Sequence, residues 1–141
     1  MKYVDVIDLD QHFDPVFKLA DDDKSAAWAT FIPTVGPFEE LLRESLETFE
    51  SQTPKAQRPI WIQGTYGTGK SHATSVVSHL LDDDVTDLEP FLARMKPELS
   101  AHVRSFRQRR RIMPVYLYGS GAPLVHSART FDLAVQTAVK A

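Results

Sequence analysis

IWIQGTYGTGKSH, residues Ile60 to His72, decides how the chain is read. Pro59 opens an apolar triplet, Ile60-Trp61-Ile62, which reads as a short strand. Gly64, Gly67 and Gly69 follow, then Lys70 and Ser71. Beyond them Val76, Val77, Leu80 and Leu81 recur at helical spacing and predict a helix over about Lys70 to Leu81. Flexible residues and one cation therefore sit between a strand-like segment and a helix. Glycine lets the main chain curl until successive N–H groups point to one spot, and it leaves room for close approach. The helix behind the loop adds first-turn N–H groups and the positive end of its dipole. Such a hollow suits an anion with several oxygens, which is to say a polyphosphate.

Residues Gly64-Thr65-Tyr66-Gly67-Thr68-Gly69-Lys70-Ser71 match G-x-x-x-x-G-K-[ST], the P-loop or Walker A pattern. With ordinary glycine usage, a chance match in a chain of this length arises on the order of once in a few hundred sequences. A glycine-rich turn with an incidental lysine is the bland alternative. The candidate nucleotide-binding residues are Gly64, Thr65, Tyr66, Gly67, Thr68, Gly69, Lys70, Ser71 and His72. Lys70 is the candidate catalytic group, a point charge for the β- and γ-phosphates. Ser71 is the candidate metal ligand, because Mg²⁺ prefers oxygen donors. The expected cofactors are ATP and Mg²⁺. His72 falls in the first helical turn, where packing or solvent contact is the plainer role for its imidazole. His72 and His79 are two turns apart, poor spacing for a shared metal. Tyr66 either covers the phosphates or sugar or shields the loop.

Composition narrows the rest. The chain has 141 residues, 43% hydrophobic content and a formal charge of −3, so bulk charge gives no reason to expect nucleic acid or membrane. It has no cysteine, which excludes a disulfide scaffold and a thiolate zinc site. The opening MKYVDVIDLD carries charge within its apolar run and is no secretory signal. No apolar stretch approaches the roughly 20 residues that span a bilayer. The expected location is the cytoplasm.

Upstream of the loop, Tyr3 to Leu9 reads as a short strand or extended arm. Asp10 to Thr34 lacks periodicity, includes the acidic run Asp21 to Asp23 and holds an apolar knot of Trp28, Phe31 and Ile32. Gly36 and Pro37 start a helix with Phe38, Leu41, Leu42, Leu46 and Phe49 on one face. Ser51 to Pro59 is a polar connector. Downstream, Asp82 to Asp84 ends the P-loop helix. Thr86-Asp87-Leu88-Glu89 has the form of a capping box and predicts a helix with Leu88, Phe91, Leu92 and Met95. Pro97 interrupts it, and a second segment runs through Leu99, Val103 and Phe106. Arg111 to Tyr118 reads as a strand buried on both faces, as in a parallel sheet. A last helix is expected from near Thr130. The order strand, helix, helix, strand, helix implies an α/β fold, a P-loop NTPase with a parallel sheet flanked by helices. Two regions are expected, an N-terminal arm and helix over 1–58 and the Walker A half of an NTPase domain over 59–141.

The second acidic motif of an NTPase is missing from this sequence. An Asp at the end of an apolar strand would hold the metal shell, but the 112–118 segment ends in Gly119-Ser120-Gly121. The expectation is an incomplete sheet and a fragment of a larger ATPase that self-associates, or joins a larger complex, through regions not present. Arg104, Arg107, Arg109, Arg110 and Arg111 form the one basic cluster. It reads as a solvated helix end complementing the dipole, or alternatively as a contact for nucleic acid, an acidic partner or a neighbouring subunit's nucleotide.

Phe31-Ile32-Pro33-Thr34 with the Phe38–Phe49 helix, the Ile60–His72 stretch, and Met113-Pro114-Val115-Tyr116 together resemble the start of large prokaryotic P-loop ATPases of the AAA+ or STAND kind. The chain is most similar in character to BREX phage-defence ATPases (BrxC/PglY-like) and related defence-island ATPases. The resemblance implies ATP binding and hydrolysis in a motor or switch, with a role in antiviral defence. It also implies that Phe31 to Thr34 approach adenine. The chain stops before any Walker B, sensor or effector region of that family. Two alternatives remain: a nucleic-acid or partner-binding module with a vestigial P-loop, and a small-molecule P-loop kinase.

Overall fold

A computed structural model describes residues 27–33, 36–53 and 57–116, with positions 132, 135, 136 and 139 besides. The described elements are helical: α1 (Ala27–Thr30), α2 (Pro37–Glu50), α3 (Lys70–Asp82), α4 (Val85–Leu92) and α5 (Pro97–Arg109). α1 packs on α3 and α4, α2 on α5, and α5 also on α3 and α4.

Each helix has a local cause. Gly36, at φ 101°, caps α2 in a conformation that side chains disfavour, and Pro37 supplies the fixed φ of the first turn. Glu39 and Glu40 then favour the positive end of the dipole. α3 is rich in Ser and Thr, poor helix formers because their hydroxyls compete for the backbone. Here the hydroxyls bond back one turn, Thr74 to the Lys70 carbonyl at 2.9 Å and Ser78 to that of Thr74 at 3.0 Å. The cap of α4 lies two residues before the expected capping box. Asp84 is its cap, accepting from the Thr86 N–H at 2.8 Å, and that bond holds the Asp84 carboxyl below its usual pKa. α5 begins at Pro97 as expected.

The apolar stripes meet in one core. Leu42, Leu46, Val76, Leu80, Leu88, Phe91, Val103 and Phe106 are wholly excluded from solvent. Phe31 lies 4.7 Å from Phe38 and 6.3 Å from Phe91, ring centre to ring centre. Phe38 and Phe91 meet edge to face at 6.2 Å. Trp28 and Phe31 pack against this core, whereas Ile32 of the same apolar knot is exposed. The Arg94 guanidinium stands 5.0 Å above the Phe91 ring and donates to the Trp28 carbonyl at 2.9 Å, which ties α1 to the end of α4.

The structure overturns the expected α/β fold with its parallel sheet. Among the described residues there is no strand. A strand is a relation between two segments, and apolarity alone does not supply the partner. Residues 59–63 are irregular, and Trp61 is 87% exposed rather than sandwiched between layers. Residues 111–116 are irregular too. The Ile112 N–H bonds not a strand but the Leu81 carbonyl at the end of α3, at 3.0 Å. Residues 117 and 118 of that expected strand, the arm at 3–9 and the acidic run at 21–23 lie outside the described residues. So does the expected last helix except at 132, 135, 136 and 139, which are helical.

The end of α3 explains the arginine cluster. The last four carbonyls of a helix lack partners within it. In α3 these belong to His79, Leu80, Leu81 and Asp82. His79 accepts from the Asp83 N–H at 2.8 Å and Leu81 from Ile112. Arg107 serves the other two, at 2.9 Å to Leu80 and 3.1 Å to Asp82, and reaches the Asp83 carbonyl at 2.5 Å. Burial, and next the neighbouring Arg111, push the Arg107 pKa below its ordinary value. Arg104 grips both Glu89 oxygens at 3.0 and 2.7 Å, and Arg111 meets Asp82 at 2.6 Å. Arg109 meets Glu50 at 2.6 Å, and Arg110 donates to the Phe49 carbonyl. Arg107 and Arg110 thus serve carbonyls at the ends of α3 and α2, whereas Arg104, Arg109 and Arg111 pair with carboxylates. All five are engaged within the chain.

Candidate functional site

Residues 64–69 form a loop that runs straight into α3, whose first turn holds Lys70, Ser71 and His72. Gly67 and Gly69 adopt φ of 79° and 78°, left-handed conformations that favour glycine. Gly69 is the N-cap of α3 and contributes no side chain to its first turn. A Cβ built on Gly64 would meet the Thr68 hydroxyl at 3.0 Å and Lys70 Cδ at 3.6 Å. A side chain at 64 would crowd the Thr68 hydroxyl, and the backbone conformations at 67 and 69 favour glycine.

Lys70 is the first residue of α3, yet its side chain turns back over the loop. Its ammonium donates to the Gly64 carbonyl at 2.9 Å and the Thr65 carbonyl at 2.5 Å, with a long contact of 3.4 Å to the Thr68 hydroxyl. The Thr68 hydroxyl itself donates to the Thr65 carbonyl at 2.9 Å. The charge is thereby placed at the N-terminus of a helix, where the macrodipole is already positive. No acidic residue lies in the first turn of α3. By contrast, the first turns of α2, α4 and α5 carry Glu39 and Glu40, Asp87, and Glu98. A cation at this end, without a neighbouring carboxylate in the turn, is an arrangement that an incoming anion improves.

The other expected site residues fall as follows. Thr65, Tyr66, Gly67, Thr68, Gly69 and Ser71 are solvent-exposed, Tyr66 at 94%. Ser71, one residue into α3, is accessible to a metal. His72 is half-buried, and its ring meets Phe31 edge-on at 5.0 Å. The imidazole thus packs on the Phe31 ring. His79 is apart from the loop, buried and 2.8 Å from the Asp83 carboxylate. Among the described residues no group of three or more His, Cys, Asp or Glu side chains is arranged to hold a metal ion. A magnesium ion here would rely on Ser71 and on the oxygens of the phosphate it accompanies.

A separate cavity of about 90 Å³ is lined by Phe38, Glu39, Arg94 and Lys96, among others, and includes no loop residue. Its polar side is closed by a 2.7 Å ion pair between Lys96 and Glu39. The candidate site residues lie instead in the loop, where the Gly64 and Thr65 carbonyls and the Thr68 hydroxyl converge on the Lys70 ammonium.

Sequence reasoning missed two features of this region. The Thr68 side chain is a partner of the loop as well as its backbone. The contact between His72 and Phe31 links the loop to the core, and no sequence spacing announces it across 41 positions. No helix among the described residues is long and apolar enough to cross a membrane. Compared with family models, curated proteins and solved structures, the chain matches none of them.

Proposed function

We propose that residues 64–72 bind the phosphates of a nucleoside triphosphate, ATP with Mg²⁺, and that the chain is a cytoplasmic ATP-binding module of a larger P-loop ATPase. The observation that carries this reading is the Lys70 ammonium, held over the loop by the Gly64 and Thr65 carbonyls at the positive end of α3. The match of Gly64 to Ser71 with G-x-x-x-x-G-K-[ST] supports it independently. Loop N–H groups and the first turn of α3 would bind phosphate oxygens, Lys70 would neutralise charge on them, and Ser71 would offer its hydroxyl to the metal. The metal, when bound, supplies positive charge to the oxygens of the transferring phosphate.

The proposal concerns binding first. Hydrolysis also needs an acidic group to orient water, and the sequence places none at the end of an apolar run. Motor or switch work, self-association and antiviral defence belong to the assembled ATPase that the resemblance implies. Nucleic-acid binding by the arginine cluster is the weaker reading, because each of the five arginines has an intrachain partner. Titration with magnesium ATP tests the proposal. Saturable binding that Lys70→Ala weakens supports it, and binding indifferent to Lys70 refutes it.

A further inference from the structure

The first turn of α3 must hold its shape for the proposed phosphate site to work, and its own sequence does little to hold it. We infer that Phe31, through its ring contact with His72, is a positioning residue for that turn and hence for the phosphates. The inference rests on the proposed phosphate site.

The weakness of the turn is local. Capping side chains and first-turn carboxylates are the usual supports of a helix start. Here the N-cap, Gly69, makes no side-chain cap hydrogen bond, and no acidic residue stands in the turn. Lys70 places a cation at the positive end of the dipole, which opposes closure of the turn. Ser71 and Thr74 are poor helix formers. The first backbone bond of α3 runs from the Ala73 N–H to the Gly69 carbonyl at 2.8 Å, and Ala73 packs against the core.

Further support comes from outside α3. The half-buried His72 ring meets Phe31 edge-on, with ring centres 5.0 Å apart and planes at 75°. Phe31 is itself held from several sides. Its ring centre lies 4.7 Å from that of Phe38 on α2 and 6.3 Å from that of Phe91 on α4. Arg94 fixes the helix just before it, donating to the Trp28 carbonyl at 2.9 Å, with a longer contact of 3.5 Å to that of Ala29. The ring that His72 meets is therefore anchored to α1, α2 and α4. A turn clamped at its third residue keeps the N–H groups that every helix start leaves without an intrahelical acceptor directed to one place. It keeps the Ser71 hydroxyl beside them.

The family resemblance implies a different role for Phe31, contact with adenine. The two roles separate on a ligand that has no base. A positioned turn serves inorganic tripolyphosphate as well as ATP, whereas a base contact serves ATP alone.

The test uses the full chain, unaltered and as Phe31→Leu, His72→Gln and Phe31→Tyr, each shown to be folded by its urea midpoint. His72→Gln removes a ring from the other side of the contact and leaves Phe31, Phe38 and Phe91 in place. Two readouts are taken. Hydrogen exchange at the Ala73 amide reports closure of the first turn. Titration gives the affinities for magnesium ATP and magnesium tripolyphosphate. Phe31→Leu and His72→Gln are each expected to lower Ala73 protection about 2- to 10-fold, the worth of an aromatic pair, and to leave the Val77 and Leu80 amides unchanged. A turn so weakly supported closes by a small margin, so both affinities should fall together, by about 2-fold or more and by no more than closure does. Phe31→Tyr keeps the ring and should restore protection and both affinities. Unchanged Ala73 protection in either ring-removing variant overturns the inference, and so do undiminished affinities. A loss for ATP alone overturns it in favour of a base contact. If the unaltered chain binds neither ligand, the phosphate-site reading fails and this role falls with it; binding by the unaltered chain without these losses overturns this role alone.

Discussion

Replacing Arg107 by methionine should destabilise the fold by about 2 kcal/mol, a figure assembled from the hydrogen-bond accounting at the end of α3. Methionine keeps most of the apolar stem of the side chain and removes its donors. Three bonds disappear, to the carbonyls of Leu80, Asp82 and Asp83. They do not count equally. Asp82 and Asp83 are half-buried, so water can replace the arginine there only in part. Leu80 is fully buried, and its carbonyl would be left without the arginine donor. An orphaned buried acceptor costs about 1–3 kcal/mol, and losing a cation from the negative end of the dipole adds up to about 1 kcal/mol. One term opposes these. Arg107 Nε is buried without a hydrogen-bond partner, and the substitution removes that cost. The balance is about 2 kcal/mol, measured as a lower urea midpoint with an unchanged slope. Arg107→Lys, with one point charge in place of a fork, should recover about half of it. A loss under about 0.5 kcal/mol for Arg107→Met would refute the assignment of Arg107 as the cap of α3.

Three further perturbations address the rest of the account. Phe91→Ala empties the centre of the aromatic cluster and should cost about 3–5 kcal/mol by urea denaturation. Gly69→Ala meets no atom within 4 Å but must hold a φ near 78°, so it should cost about 1–2 kcal/mol and weaken magnesium ATP binding as well. Glu50 ties α2 to α5 through His102 at 3.0 Å and Arg109 at 2.6 Å. The hydrogen bond from His102 foremost, then its charge and Arg109, hold the Glu50 carboxyl below its usual pKa of 4.5. A lowered carboxylate contributes stability that is complete above the ordinary value and is lost as pH falls through the folded one. The urea midpoint of the unaltered chain should therefore fall as pH drops below about 4.5, and Glu50→Gln should flatten that fall.

Much of the helical architecture was legible because helical periodicity reports burial and type together. The stripes at Phe38, Leu42 and Leu46, at Val76, Val77, Leu80 and Leu81, and at Leu99, Val103 and Phe106 reached the core, whereas Leu41 of the first stripe is only partly buried and Phe49 is exposed. The strands misled because a short apolar run reports neither pairing nor burial. Ile60-Trp61-Ile62 contains an almost fully exposed tryptophan, and Ile112 spends its N–H on a helix end. The Thr86 box named the right helix and the wrong cap, since Asp84 lies two residues earlier and binds Thr86 itself. The arginines could be counted but not assigned. The Arg107 acceptors lie 24 to 27 residues upstream, and only the fold brings them together. The loop was legible for the opposite reason. Its lysine, threonine and glycines interact within six residues of one another, so the local pattern contains the geometry.

The most direct measurement is calorimetric titration of the chain and of its Lys70→Ala variant with magnesium ATP, each first shown to be folded by its urea midpoint. The account predicts saturable binding that weakens about 10- to 100-fold in the variant, the loss of charge-assisted bonds to phosphate. Equal affinities in the two proteins, or no heat of binding in the unaltered one, would contradict it.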